Sequence, residues 1–186
     1  MPRSPNASDK EILAFTNQLI AKHDISGVTL DMVAAKAGVS KATIYRRWPS
    51  RNALILDAIT IMHRPDTKSD TGSLRGDLTS LLTDLAQFLN RPNGGNVFIA
   101  FLNEALRDTK VAKANEKITA EVRGSYVEAI NQAVARGELG ADVDVELMID
   151  MLISPFIFRR LTNNSKIKVA EVAPLVDAVL RAFCKA

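Results

Sequence analysis

Cysteine is almost missing. Cys184 is the only one in 186 residues, which excludes an internal disulfide framework and a cysteine-based structural zinc site. Histidine is limited to His23 and His63, and no glycine-rich phosphate loop occurs, so most nucleophilic, metal-assisted and nucleotide-dependent chemistry lacks its ingredients. No run approaches the ~18 uninterrupted apolar residues of a membrane span, and the polar start Met1-Pro2-Arg3-Ser4-Pro5-Asn6 has no signal-peptide core. These absences predict a non-enzymatic protein of a reducing cytoplasm, with no cofactor, metal or membrane partner. Disorder is excluded too: 47% apolar and 24% charged residues are close to globular averages. The length suits one ordinary domain or two small ones and suffices to bury a core without staples.

The net charge of +3 is unevenly placed. Residues 1–63 carry eight Lys or Arg against five Asp or Glu, whereas residues 64–186 carry sixteen of each. The whole surplus therefore lies in the first third. That points either to an anionic partner for this third or to a merely solvated basic face.

Periodicity predicts helices nearly throughout. Ile12, Phe15, Leu19 and Ile20 form one stripe after the capping pair Ser8-Asp9. Residues 23–28 break it. Thr29 can cap a short helix with Leu30, Val33, Ala34 and Ala37, Ser40 a second, and Ser50 a third carrying Leu54, Ile55, Ala58 and Ile59. Residues 64–73 are polar and rich in turn formers, hence a connector. Longer helices follow: one from Leu74 to Leu89, one from Val97 to Leu106, one from about Val111 to Arg136 stopped by Gly137, one from about Val145 to Leu161, and one over Val169 to Phe183. Pro155 is expected to kink the fourth of these. No segment alternates apolar and polar residues as a strand would, so the chain is predicted to be all-α.

Thr29 to Trp48 is the informative stretch. Ala34, Gly38 and Ile44 stand at offsets 0, +4 and +10, the spacing a helix-turn-helix requires. A small residue lets two helices cross closely, a glycine supplies the positive φ of the turn, and an aliphatic residue plugs the contact. The second of these helices would expose Lys41, Ala42, Thr43, Arg46 and Arg47 beside Tyr45. Short or basic side chains at a helix start can enter a major groove about 12 Å wide.

Together with Ser40, Trp48, Pro49, Ser50 and Arg51, this motif resembles the DNA-binding domain of TetR/AcrR-family transcriptional regulators over about residues 9–63. The remainder resembles that family's C-terminal domain more loosely, through Ala135 to Leu139, Asp142 to Asp144 and the apolar helix after them. The resemblance implies a three-helix DNA-binding domain at 1–63, joined by a fourth helix to an all-helical ligand-binding and dimerisation domain at 64–186, about nine helices in all. Thr29, Tyr45 and Arg51 would touch phosphates, and Ser40, Lys41, Ala42, Thr43 and Arg46 would face the groove. Arg47 joins this DNA-binding set, although its position in the family often points away. There are departures: Arg51 replaces the usual Lys, Asn52 an acidic residue, and His23-Asp24 the usual acidic-small pair.

The last two helices are more apolar than a small protomer core needs. Phe156, Ile157, Leu161, Leu175, Val179, Leu180 and Phe183 would form a homodimer interface, as the resemblance implies, or else pack only within the protomer. Phe88, Phe98, Phe101, Leu102, Tyr126, Met148 and Met151 would line an effector pocket for a small hydrophobic or aromatic molecule, or belong to the core. The function so implied is a ligand-responsive regulator, a repressor by family default, which binds a palindromic double-stranded operator as a dimer and is released by its effector. The competing readings are an architectural DNA-binding protein and a helical adaptor, both without ligand control. Enzyme chemistry has no support, because Asp66/Asp70 and Asp142/Asp144 read as connector and capping residues.

Overall fold

The computed structural model describes residues 7–63, 70–91, 94–163 and 165–183. Cys184 and connector residues 64–69 lie outside them. Among the described residues there are nine α-helices, one 3-10 turn and no strand, so the chain is all-α. It divides into two compact units, one holding the described residues of Met1–Arg64 and Pro92–Lys117, the other those of Pro65–Arg91 and Ile118–Ala186.

The first unit is built on capped short helices. Helix α1 (Asp9–Gly27) opens with a capping box: the Ser8 Oγ accepts from the Glu11 N–H at 3.3 Å, and Glu11 Oε2 accepts from the Ser8 N–H at 2.8 Å. That backbone donor holds the Glu11 carboxyl below its ordinary range. Near its end α1 is interrupted at Asp24, with φ 58° and ψ 171°, a region costly for any residue with a Cβ. Helix α2 (Leu30–Ala37) starts at Thr29, whose hydroxyl accepts from the Met32 N–H at 3.2 Å. It ends at Gly38, which takes φ 69°. Helix α3 (Lys41–Arg47) is capped by Ser40 through the Thr43 N–H at 3.1 Å, and α4 (Arg51–His63) by Ser50 through the Ala53 N–H at 3.1 Å. Ile12, Ile20, Val33, Ile44, Leu54, Ala58 and Ile59 are buried between these helices. Asn17 Nδ2 donates to the Ala58 carbonyl at 2.7 Å, tying α1 to α4.

Helix α6 (Gly94–Ala105) packs against α1 and buries Val97, Ala100 and Phe101. With the first turns of α7 (Thr109–Ala135) it therefore groups with the N-terminal helices. The spatial grouping differs from a division of the sequence at residue 63, because burial of α6 against α1 brings together segments far apart in the chain.

The second unit holds α5 (Leu74–Asn90), the rest of α7, α8 (Val145–Asn163), the 3-10 turn Val169–Glu171 and α9 (Val172–Phe183). Here α9 packs on α5 and α8. Gly137, at φ 78°, ends α7 and lets Glu138 reach the start of α5, where its Oε2 accepts from the Leu74 N–H at 2.8 Å. That bond, then Arg136, keeps the Glu138 carboxyl below its usual range. Asp77 is fully buried and accepts from the Thr71 backbone and hydroxyl at 2.7 and 2.8 Å. Asn90 pairs with both backbone groups of Ile167, at 2.6 and 2.9 Å, and so fastens the segment between α8 and α9. Helix α8 runs through Pro155 without interruption by another element.

Candidate nucleic-acid interface

The corner between α2 and α3 has the geometry its spacing calls for. Ala34 and Ile44 are buried, Gly38 is left-handed, and its N–H bonds the Ala34 carbonyl. With Ile44 turned inward, the other side of α3 faces outward: Lys41, Ala42, Tyr45 and Arg46 are exposed and Thr43 half-exposed. Tyr45 is 49% exposed, high for an aromatic ring. Trp48 goes the other way; it is buried and donates from Nε1 to Asp57 Oδ2 at 2.8 Å, covering the corner.

The basic side chains of this corner differ sharply in their partners. Arg46 is exposed and has no ion pair or hydrogen bond with a described residue. Lys41 Nζ lies 2.9 Å from Asp31 Oδ2 on α2, and this hydrogen bond raises the Lys41 pKa. Arg47 is half-buried and directed at the start of α1, where Nη1 donates to the Ala7 carbonyl at 2.7 Å and lies 3.0 Å from Asp9 Oδ1. Arg51 donates from Nε to the Val28 carbonyl at 2.5 Å, from Nη2 to the Ile25 carbonyl, and from Nη1 to Asn52 Oδ1 at 3.2 Å. Both Arg51 carbonyl partners follow the break at Asp24, where an irregular helix end needs donors. Of the residues expected at phosphates, Arg51 is engaged with the end of α1 and Tyr45 is exposed, while Arg47, from the wider DNA-binding set, points to the start of α1. Thr29, Ser40 and Thr43 serve as caps or cap partners; the Ser40 and Thr43 hydroxyls lie 2.9 Å apart.

In the second unit α8 presents two apolar stripes. Met148, Ile149, Leu152 and Phe156 are buried in the protomer, while Leu147, Met151, Phe158 and Leu161 are exposed. Phe156, expected at an interface between copies, is only 1% exposed and belongs to the protomer core together with the nearly buried Val179. The aromatic side chain of α8 turned outward is Phe158, at 65% exposure, which was not among the residues expected at the interface. Ile157, Leu175, Leu180 and Phe183 are half-buried. Beside this stripe an open groove of about 650 Å³ is lined by Asp150, Met151, Ser154, Pro155, Phe158, Leu175, Ala178 and Val179.

The residues expected in an effector pocket are divided. Phe88, Tyr126 and Met148 are buried in the second unit, whereas Phe101 is buried and Phe98 and Leu102 half-buried on α6 of the first. Met151 is not with them; at 39% exposure it lies in the α8–α9 groove. The Tyr126 hydroxyl is buried with no hydrogen-bond partner among the described residues, and burial pushes its pKa well up, with Asp84 adding to the effect.

A helix-turn-helix whose second helix carries an exposed arginine and tyrosine defines a DNA-binding protein. The comparisons with known proteins agree. Residues 12–58 match the family model described as bacterial regulatory proteins, tetR family, and residues 68–179 match a tetracyclin repressor-like C-terminal domain. The HTH-type transcriptional regulator YdeS of Bacillus subtilis, itself uncharacterized, is 30% identical over 94% of this chain and 87% of its own. The DNA-binding transcriptional repressor TetR of Mycobacteroides abscessus is 32% identical over 91% and 90%. Among solved structures, the TetR family transcription regulator SCO0332 is 30% identical with a TM-score of 0.66, covering 95% of this chain and 98% of that one. A transcriptional regulator from Saccharomonospora viridis, solved in complex with choline, shares the fold with a TM-score of 0.74 at 16% identity, over 96% and 98% of the two chains. This chain belongs to the TetR family of bacterial transcriptional regulators. It is a DNA-binding regulator and not an enzyme. Among the described residues no helix is long and apolar enough to cross a membrane.

Proposed function

We propose that the protein acts in the cytoplasm as a homodimeric repressor, reads an inverted-repeat operator with α3 of each protomer, and is released by a small apolar effector held in the second unit. The observation that carries this reading is the outward face of α3, where Arg46 and Tyr45 are exposed while Ile44 and Trp48 anchor the helix. Arg46 is the group suited to a bidentate contact with guanine O6 and N7, and Ala42 is small enough for a thymine methyl to approach. Thr29 and Ser40 cap the two helices of the corner, and the Ser40 hydroxyl lies 2.9 Å from that of Thr43, so these side chains order the helix starts that would meet the backbone of the duplex.

One recognition helix reads only a few base pairs, so selectivity calls for two, one turn or about 34–36 Å apart. The exposed stripe Leu147, Met151, Phe158 and Leu161, with Leu175 of the adjoining groove, is the surface best suited to hold a second copy. Repression is supported by the name of the Mycobacteroides abscessus relative. A small-molecule effector is supported by the choline complex of the Saccharomonospora viridis neighbour and by Phe88, Tyr126 and Met148 here. The unpartnered Tyr126 hydroxyl supplies a polar anchor that an effector's acceptor atom would satisfy. Effector and operator would then oppose each other by one reciprocal coupling energy.

Selection of bound duplexes from a random-sequence pool tests the reading. It is expected to enrich an inverted repeat with half-site centres about one turn apart. Enrichment of a single half-site, or of no sequence at all, would contradict it.

A further inference from the structure

Counting the basic side chains near α3 by their partners leaves an imbalance. Arg47 and Arg51 are bonded to the two ends of α1, and Arg46 has no partner among the described residues. Lys41 alone sits on the outward surface and yet is paired, with Asp31 in the first turn of α2. Both side chains are open to solvent, 48% for Lys41 and 71% for Asp31, so the pair is not needed to fill a core. An exposed pair of this kind contributes little to folding. Its effect falls on the charge presented outward: a carboxylate neutralises one of the two cations that α3 offers to an anionic ligand.

We propose that Asp31 restrains this regulator from binding DNA of arbitrary sequence, by holding the Lys41 ammonium in an internal ion pair on the recognition surface. Binding to arbitrary duplex is driven by cations that replace condensed counterions on phosphates. While Asp31 occupies it, Lys41 does not join that count, and it contributes only where a base edge or a fixed phosphate replaces the carboxylate. The proposal rests on α3 facing DNA, as set out above.

The test uses the full-length protein and a scrambled 30-base-pair duplex, with affinity followed by fluorescence anisotropy over a series of salt concentrations. Asp31→Asn is expected to tighten binding about threefold to tenfold at low salt. It is also expected to steepen the slope of log K against log[salt] by about 0.9 for each protomer engaged. Asp31→Glu, which keeps the charge on a longer arm, is expected to behave as the unsubstituted protein. In a Lys41→Met background Asp31→Asn should have no effect. An equal gain in that background would mean that Asp31 acts only by repelling phosphates, and the proposal would fall. Unchanged affinity and slope for Asp31→Asn in the Lys41 protein would overturn it as well. If the unsubstituted protein bound neither this duplex nor any selected one, the placement of α3 against DNA would fail first, and the proposal with it.

Discussion

Phe158→Asp is expected to turn the protein into monomers and to weaken operator binding at least a hundredfold, with helix content unchanged. The phenyl ring is 65% exposed on α8, so the protomer does not depend on it for its own core. In a two-fold dimer the same patch faces itself and the substitution acts twice. Each copy forfeits roughly 1.5–3 kcal/mol of apolar burial and adds a carboxylate that must be desolvated. Together these exceed about 3 kcal/mol, which is more than a hundredfold in the dissociation constant. Light scattering coupled to size exclusion reads the first effect and anisotropy the second. A variant that remains dimeric at low micromolar concentration would show that copies associate through another face. Phe156→Ala is the contrast, since its ring is buried in the protomer and its loss would lower folding stability instead.

Arg51→Ala is expected to cost about 3 kcal/mol of folding stability, a fall of roughly 6–12 °C in Tm for a chain of this size. The guanidinium donates to the carbonyls of Val28 and Ile25, and hydrogen bonds to a charged donor contribute more than neutral ones. Removing it strands the Val28 carbonyl and leaves the Ile25 carbonyl with the Val28 N–H alone, at 3.3 Å. Arg51→Lys keeps the charge but replaces a planar fork by a point donor that can meet one carbonyl at a time, so about half the loss is expected to remain. A phosphate contact predicts the opposite pattern, with Arg51→Lys restoring DNA affinity and thermal unfolding barely moved by either change. The Lys-to-Arg departure from the family pattern thus acquires a physical reason: the end of α1, broken at Asp24, presents two carbonyls side by side for one fork.

What could be read beforehand was local. Ser8, Thr29, Ser40, Ser50 and Gly38 act on residues a few positions away, and each does what its side chain or its missing Cβ dictates. The Ala34, Gly38, Ile44 spacing is likewise a property of one short segment. What escaped depended on long side chains or on tertiary phase. Arg47 and Arg51 look alike in sequence to a DNA-reading arginine, and only the neighbouring ends of α1 distinguish them from Arg46. Helix α8 is apolar on most sides, so its periodicity fits both the 148, 152, 156 stripe and the 147, 151, 158, 161 stripe. Burial against α5 and α9 settles which faces inward, moving Met151 and Phe158 outward and Phe156 inward. The packing of α6 on α1 had no signal in any single stretch of the chain.

Arg46 is the side chain through which α3 is expected to read DNA. The most direct measurement compares the unsubstituted protein with Arg46→Ala on the selected duplex and on a scrambled one, at two salt concentrations. Loss of one bidentate base contact, worth about 1–3 kcal/mol per protomer, predicts a fall in affinity of tenfold or more on the selected duplex and a much smaller one on the scrambled duplex. Equal affinities of Arg46→Ala and the unsubstituted protein for the selected duplex would mean that α3 does not read DNA through Arg46.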